Sequence, residues 1–159
     1  MAYETTDVPV ERSQGETRKL LQKLGAREFV FGEGVIDTRR WVGVQFIHDN
    51  HVVRLRAYLR DPDDRWLRAK VSKARTRGPQ DFIDDHYEQE SRRIWRVIFW
   101  SMKARMVAVE EQLESFQQAF MPYIVDPSTN KTLWEGVAEQ FDAGRFEIGG
   151  SGMRELTPG

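Results

Sequence analysis

The sequence predicts an α+β domain in which a short helix, a three-stranded antiparallel meander, a long amphipathic helix and a short C-terminal helix follow one another. Three runs with alternating apolar residues predict the strands, and an apolar stripe of helical period from residue 95 to residue 120 predicts the long helix. The 159 residues, 40% of them hydrophobic, are typical of one domain with one core. We expect this single domain to span residues 1–144 and a flexible tail, rich in glycine, to span residues 145–159.

The first helix is predicted from a capping box and an apolar face. Ser13 and Glu16 have the spacing of a reciprocal helix cap, so the helix is expected to begin there. Leu20, Leu21 and Leu24 form its apolar face, and Gly25 is placed to end it in the left-handed conformation.

The three strands are predicted at residues 27–31, 41–47 and 52–60. Each places alternate apolar side chains on one face, which is the pattern of a strand with one buried side. The residues assigned to this face are Phe29, Phe31, Val42, Val44, Phe46, Val53, Leu55, Ala57 and Leu59. Asp49 and Asn50, between the second and third strands, tolerate the positive φ angles of a tight hairpin turn.

The segment from Asp61 to Gln80 shows no apolar period and is predicted to be a long mobile loop. A helix is then predicted from about Phe82 until Pro122 ends it. Its apolar stripe comprises Trp95, Ile98, Met102, Met106, Val109, Leu113, Phe116 and Phe120. Thr132 and Glu135 form a second capping box before the last helix, which Gly144 can end.

Motifs of known enzyme classes are lacking, so we expect no catalytic activity and no cofactor. The chain contains no cysteine, phosphate-binding loop, nucleophile elbow or zinc-protease motif. His48, Asp49 and His51 could hold a metal, but ordinary turn residues explain them as well. The carboxylates between Asp81 and Glu90 could bind a divalent cation or favour a helix N-terminus. Because neither set is specific, no metal site is predicted.

Positive charge is concentrated in one part of a chain whose net charge is −1. Residues 54–77 contain nine Lys or Arg and three Asp. Strand alternation places four residues of the third strand opposite the buried face, namely Arg54, Arg56, Tyr58 and Arg60. Arginines interleaved with an aromatic ring are typical of a groove for single-stranded nucleic acid, although a solvated strand face has the same composition. Arg92, Arg93 and Arg96 at the start of the long helix are expected to assist.

The aromatic content suggests self-association. Five tryptophans exceed what one small core needs, and Trp100 lies off the apolar stripe of the long helix, so we expect a homo-oligomer. No signal peptide or run of 18 apolar residues occurs, so no membrane association and a cytoplasmic location are expected.

Several segments resemble a widespread family of small uncharacterised proteins encoded by tailed bacteriophages and prophages. They are Val8-Pro9-Val10-Glu11-Arg12-Ser13, Leu24-Gly25-Ala26, Phe29-Val30-Phe31-Gly32, the run from Arg92 to Lys103, and Tyr123-Ile124-Val125. The resemblance covers nearly the whole chain and implies a phage protein acting in the host cell, without an assigned activity. The order of helix, meander and long helix is also similar to the core of phage single-strand annealing proteins, although none of their motifs can be matched residue by residue.

Two functions follow as hypotheses. The first is a phage-encoded single-stranded DNA-binding protein, with recombination annealing as its more specific form. The alternative is a protein-interaction or small-molecule-binding counter-defence module that acts on a host factor. The clustered arginines favour the first, and a sequence pI of about 6.3 favours the second.

Overall fold

The predicted α+β layout is confirmed by a computed structural model that describes residues 3–146. Most of the tail predicted at residues 145–159 lies outside the described residues. The elements in chain order are α1 (Val10–Leu24), β1 (Arg27–Ile36), β2 (Arg39–His48), β3 (His51–Tyr58), α2 (Asp64–Lys73), α3 (Pro79–Glu110), α4 (Phe116–Phe120), a 3-10 turn (Met121–Tyr123), β4 (Val125–Asp126), β5 (Lys131–Thr132) and α5 (Leu133–Asp142).

The strands β1, β2 and β3 form an antiparallel sheet in that order. Val42 and Val44 of β2 and Val53 and Leu55 of β3 are buried, which confirms the predicted alternation. We call this side the inner face and the opposite side the outer face. The turn between β2 and β3 has the predicted positive φ angles, 45° at Asp49 and 63° at Asn50. The two-stranded hairpin β4–β5 follows the bridge between Ile124 and Val53 at the edge of β3.

Helix α1 begins earlier than predicted. Its N-cap is Pro9, whose φ of −61° suits the start of a helix, and Ser13 lies buried one turn inside. The capping box predicted at Ser13 is therefore wrong, and the Ser13 carbonyl instead accepts a hydrogen bond from Thr17 Oγ1 at 2.8 Å. The predicted end is confirmed, because Gly25 has a φ of 79°.

Helix α3 packs against the inner face and against α1, with Met102 fully buried at its centre. It ends at Glu110, so the prediction of one continuous helix to residue 120 is wrong. Gln112 has a φ of 58°, and a reciprocal cap between Ser115 and Gln118 then starts α4. Phe116 and Phe120 reach the core from α4, whereas Leu113 is 79% exposed.

The predicted mobile loop at residues 61–80 is also wrong, because it contains α2 and the start of α3. The Asp63 side chain caps α2 by accepting a hydrogen bond from the Trp66 amide at 2.7 Å. None of the residues of α2 is fully buried. Its half-buried apolar residues Leu67 and Val71 span a single turn, which is too short to show a helical period in the sequence. Of the helices described in residues 3–146, none has the length and apolar character needed to cross a membrane.

Candidate functional site

The outer face of the sheet combines aromatic rings with positive charge. Residues paired across antiparallel strands lie on the same face, so the register identifies the members of this surface. They are Val30, Gly32, Gly34 and Ile36 of β1, Arg39, Trp41, Gly43, Gln45 and Ile47 of β2, and Val52, Arg54, Arg56 and Tyr58 of β3. The set contains three arginines and no acidic residue.

Trp41 lies against glycines of the neighbouring strand. A Cβ atom on Gly34 would sit 3.0 Å from the indole Nε1, and one on Gly32 would sit 3.4 Å from Cη2. Because both residues lack a side chain, the indole can spread across the outer face of β1. The Trp41 ring therefore packs over the backbone of Gly32 and Gly34, and it remains partly exposed.

Two arginines of this face stack on aromatic rings. The Arg56 guanidinium carbon lies 4.6 Å from the centre of the Trp41 ring, and that of Arg39 lies 4.2 Å from the Tyr58 ring. Such stacking holds the guanidinium in place while leaving its charge and N–H edge able to bind an anion. Among the described atoms, Arg56 Nε is buried and lacks a hydrogen-bond partner.

Arg54 connects the sheet to the β4–β5 hairpin. Its Nε donates to Gln45 Oε1 at 3.1 Å, its Nη1 donates to the Asn130 carbonyl at 3.1 Å, and its Nη2 donates to Asn130 Oδ1 at 2.8 Å. All three acceptors are neutral, so they orient the guanidinium without cancelling its charge.

A groove of about 340 Å³ lies between these groups. Gly32 and Gly43 line its base, and Trp41, Arg54, Arg56 and Asn130 are among the side chains around it. The arrangement offers an apolar surface bordered by cations, which suits a ligand that is both planar and anionic.

Among the described residues, the arginines of the outer face have no carboxylate partner. Over residues 3–146, none of Arg39, Arg54 and Arg56 forms an ion pair, whereas several arginines on or near α3 do. An anionic ligand could therefore bind the outer face without first displacing a carboxylate.

Two arginines predicted to bind nucleic acid instead surround a buried carboxylate. Arg60 lies beyond the end of β3, and its Nη2 is 2.7 Å from Glu90 Oε1 of α3. Arg93 Nε lies 2.9 Å from the same oxygen and is itself buried. Burial alone would raise the pKa of Glu90, but the hydrogen bonds from Arg93 and Arg60 outweigh it and lower the pKa from 4.5 to about 2.

The other two predicted helix arginines are also paired. Arg96 binds Glu16 of α1 and Arg92 binds Glu88 one turn away on α3. The hydrogen bond from Arg96 is the main reason that the pKa of Glu16 lies below its usual value. The structure therefore brings Arg54, Arg56 and Tyr58 together on the outer face, and it places Arg60, Arg92, Arg93 and Arg96 elsewhere.

Sequence reasoning missed Arg39 and Trp41. The signal was present, because alternation puts Trp41 opposite the buried Val42, on the same side as Gly43. The sequence does not reveal the strand register, which places Trp41 between Gly34 of β1 and Tyr58 of β3.

The two histidines considered as metal ligands pack against an aromatic ring. His48 and His51 lie 4.5 Å and 6.5 Å from the Phe116 ring centre. Of the carboxylates between Asp81 and Glu90, Asp81 caps the Gly78 amide and Asp85 pairs with Arg77. The part of the chain that the structure describes contains no group of three or more His, Asp or Glu arranged to hold a metal ion.

Comparison with known proteins gives no relative from which a function could be transferred. No protein-family model, no curated protein and no solved structure matches this chain.

Proposed function

We propose that the protein is a phage-encoded single-stranded DNA-binding protein that holds the strand across the outer face of the sheet. The observation that carries this proposal is the set of three arginines that form no ion pair with residues 3–146 and are interleaved with Trp41 and Tyr58 on one face of the sheet. We further propose that the protein acts in recombination annealing within the host cell.

In the proposed complex, phosphates bind the guanidinium groups and bases stack on the aromatic rings. Arg56 stays on the Trp41 ring and binds a phosphate with its N–H edge, and a base stacks on the part of the indole that remains exposed. Arg54 is held by Gln45 and Asn130 and needs no rearrangement. Single strands suit this surface better than duplex DNA, because only unpaired bases expose their faces to a flat sheet.

The charge component is tested with a triple Arg39→Ala, Arg54→Ala, Arg56→Ala variant. Each phosphate contact contributes about −0.7 to the slope of log affinity against log salt, so the slope should flatten by about 2 units with oligothymidine. The matched control changes Arg65, Arg68 and Lys73 of α2 to Ala, which removes the same charge from a different surface. If the control variant lost more affinity for oligothymidine than the triple variant, binding would be assigned to α2 and the proposal for the outer face would be wrong.

The stacking component is tested with Tyr58→Ala. Affinity should fall by roughly 1–3 kcal/mol while the salt slope stays nearly constant, because a stacked base releases few counterions. If the wild-type protein fails to bind oligothymidine even at low salt, single-stranded DNA binding is rejected.

The second candidate is a protein-interaction or small-molecule-binding counter-defence module that acts on a host factor. It is supported by a separate cluster of exposed rings, in which Phe141 lies 5.1 Å from Trp134 and 4.4 Å from Phe146 between ring centres. Exposed aromatic clusters are typical of protein-binding surfaces. Loss of partner binding in Trp134→Ala, with DNA binding absent in the wild type, would favour this candidate.

A further inference from the structure

Two side-chain amides, those of Gln45 and Asn130, border the groove beside Trp41 on the outer face. An amide group carries both N–H donors and an acceptor oxygen, so its hydrogen bonds determine which of the two it offers to a ligand. In both residues the neighbouring Arg54 determines this orientation. A guanidinium group has five N–H donors and no acceptor, so only an amide oxygen can bind it.

Arg54 binds both amide oxygens. Its Nε donates to Gln45 Oε1 at 3.1 Å, and its Nη2 donates to Asn130 Oδ1 at 2.8 Å. Gln45 and Arg54 are direct partners in the register of β2 and β3. Asn130 is held in the β4–β5 turn by its backbone N–H, which donates to the Asp126 carbonyl at 2.8 Å. Both amides are therefore oriented with the oxygen towards Arg54 and the NH2 group away from it.

The side chains around the groove offer a ligand hydrogen-bond donors. Over residues 3–146, neither Gln45 Nε2 nor Asn130 Nδ2 has an acceptor. The other polar side chains that line the groove, those of Trp41, Arg54 and Arg56, contain only donors. The two acceptor oxygens among the lining side chains are those that already bind Arg54. A ligand group that accepts hydrogen bonds therefore fits this groove, and a group that only donates them finds no free side-chain partner there.

The four bases of DNA differ in this property. Thymine and guanine carry a carbonyl oxygen, O4 or O6, where cytosine and adenine carry an amino group. The carbonyl oxygen accepts hydrogen bonds, whereas the amino group donates them. The groove has a volume of about 340 Å³, at the lower end of the roughly 300–1,000 Å³ of small-ligand sites, so it has room for a single base.

We propose that this groove selects a base with a carbonyl oxygen at this position, namely thymine, uracil or guanine, over cytosine and adenine. The NH2 groups of Gln45 and Asn130 donate to the carbonyl oxygen, and Arg54 is the positioning residue that keeps both amides in the required orientation. This inference rests on the proposed binding of single-stranded DNA and adds to it a preference for one class of base.

The first experiment compares oligodeoxyuridine with oligodeoxycytidine of equal length by fluorescence anisotropy at low salt. The two strands have the same backbone charge and ring size, and their bases differ in the group on C4 and in the proton on N3. The wild-type protein should bind oligodeoxyuridine roughly two- to tenfold more tightly, which is the range of one net hydrogen bond. Equal affinities, or tighter binding of oligodeoxycytidine, would overturn the base preference and leave single-stranded DNA binding intact. Failure to bind either strand would reject both proposals.

The second experiment tests the two amides with Gln45→Glu and Asn130→Asp. Each variant keeps an oxygen for Arg54 and replaces the NH2 donor by an acceptor of the same shape. The added negative charge lowers the affinity for both strands, so the readout is the ratio of the two affinities, which should fall to about one or below in each variant. Gln117→Glu is the matched control, because it makes the same change at an exposed position on α4 and should keep the wild-type ratio. A wild-type ratio in both groove variants would overturn the role proposed for the amides.

Discussion

The indole Nε1 of Trp41 lies 3.0 Å from the position that a Cβ atom on Gly34 would occupy, and two further indole atoms lie 3.1 Å from it. Side chains on adjacent strands normally stand beside each other, but here one side chain covers the position of the other. The absence of a side chain at Gly34 thus determines where the largest ring of the outer face lies.

Gly34→Ala is expected to displace Trp41 and to weaken DNA binding with only a small loss of stability. The added methyl group would meet the flat side chain rather than backbone, so the ring can move away. The affinity for oligothymidine should fall by up to the roughly 1–3 kcal/mol of one stacked base. Fluorescence anisotropy at fixed salt measures this, and unchanged affinity would show that the position of Trp41 is irrelevant to binding.

Gly43→Ala is expected to destabilise the fold itself. A Cβ atom there would lie 2.3 Å from the Leu55 carbonyl oxygen, so β2 and β3 would have to separate locally. We expect a loss of about 1–3 kcal/mol or more in the free energy of unfolding, measured by urea denaturation. Gly15→Ala is the control, because a Cβ atom on Gly15 in α1 meets no atom within 4 Å. A Gly43→Ala protein as stable as the wild type would contradict this close approach.

Met102→Ala is expected to lower the free energy of unfolding by about 2–5 kcal/mol, because Met102 is fully buried at 0% exposure and the change leaves a cavity. Met121→Ala removes the same atoms from a residue that is 56% exposed and should cost far less. Chemical denaturation of both variants gives the comparison. Equal denaturation midpoints for the two variants would mean that Met102 does not pack against the sheet.

Glu90→Gln is expected to reduce the dependence of stability on acid pH. The pKa of Glu90 is lowered to about 2 in the folded protein, so its stabilising effect is complete above about pH 5 and is lost as pH falls towards 2. The maximum contribution is about 3 kcal/mol. Urea denaturation between pH 2 and pH 7 should therefore give a flatter profile for the variant.

The exposed Glu88 provides the control for this experiment. Its side chain is 63% exposed and pairs with Arg92 one helical turn away, so Glu88→Gln should leave the acid profile almost unchanged. Identical profiles for Glu90→Gln and the wild type would show that the buried carboxylate does not couple folding to pH.

The sequence predicted those parts of the fold in which burial follows a local period. The alternation around Val44 and Leu55 and the position of Met102 are of this kind. The cap at Thr132 was predicted from a local motif, the pairing of Thr132 with Glu135. Helix α2 was missed because none of its residues is fully buried and its half-buried apolar residues span a single turn. The break after Glu110 was missed because Phe116 and Phe120 continue the helical spacing from a separate helix.

The candidate site was predicted only in part for a related reason. Alternation within β3 placed Arg54, Arg56 and Tyr58 correctly on one face, since this needs no knowledge of other strands. The pairing of Arg60 with Glu90 joins residues 30 positions apart in sequence, and no local pattern reveals it. Which arginines keep an uncompensated charge is thus a property of the tertiary structure.

The support of Trp41 by glycine also constrains how the sequence can change over evolutionary time. Surface residues usually tolerate substitution, but replacement of Gly34 or Gly43 brings a new atom against an indole ring or a carbonyl oxygen. Homologues that retain this face should therefore keep glycine at positions 34 and 43 and an aromatic residue at position 41, even where their helices have diverged. A search for a glycine that is followed seven residues later by Trp-x-Gly, within a predicted hairpin, offers a way to find relatives too distant for overall sequence similarity.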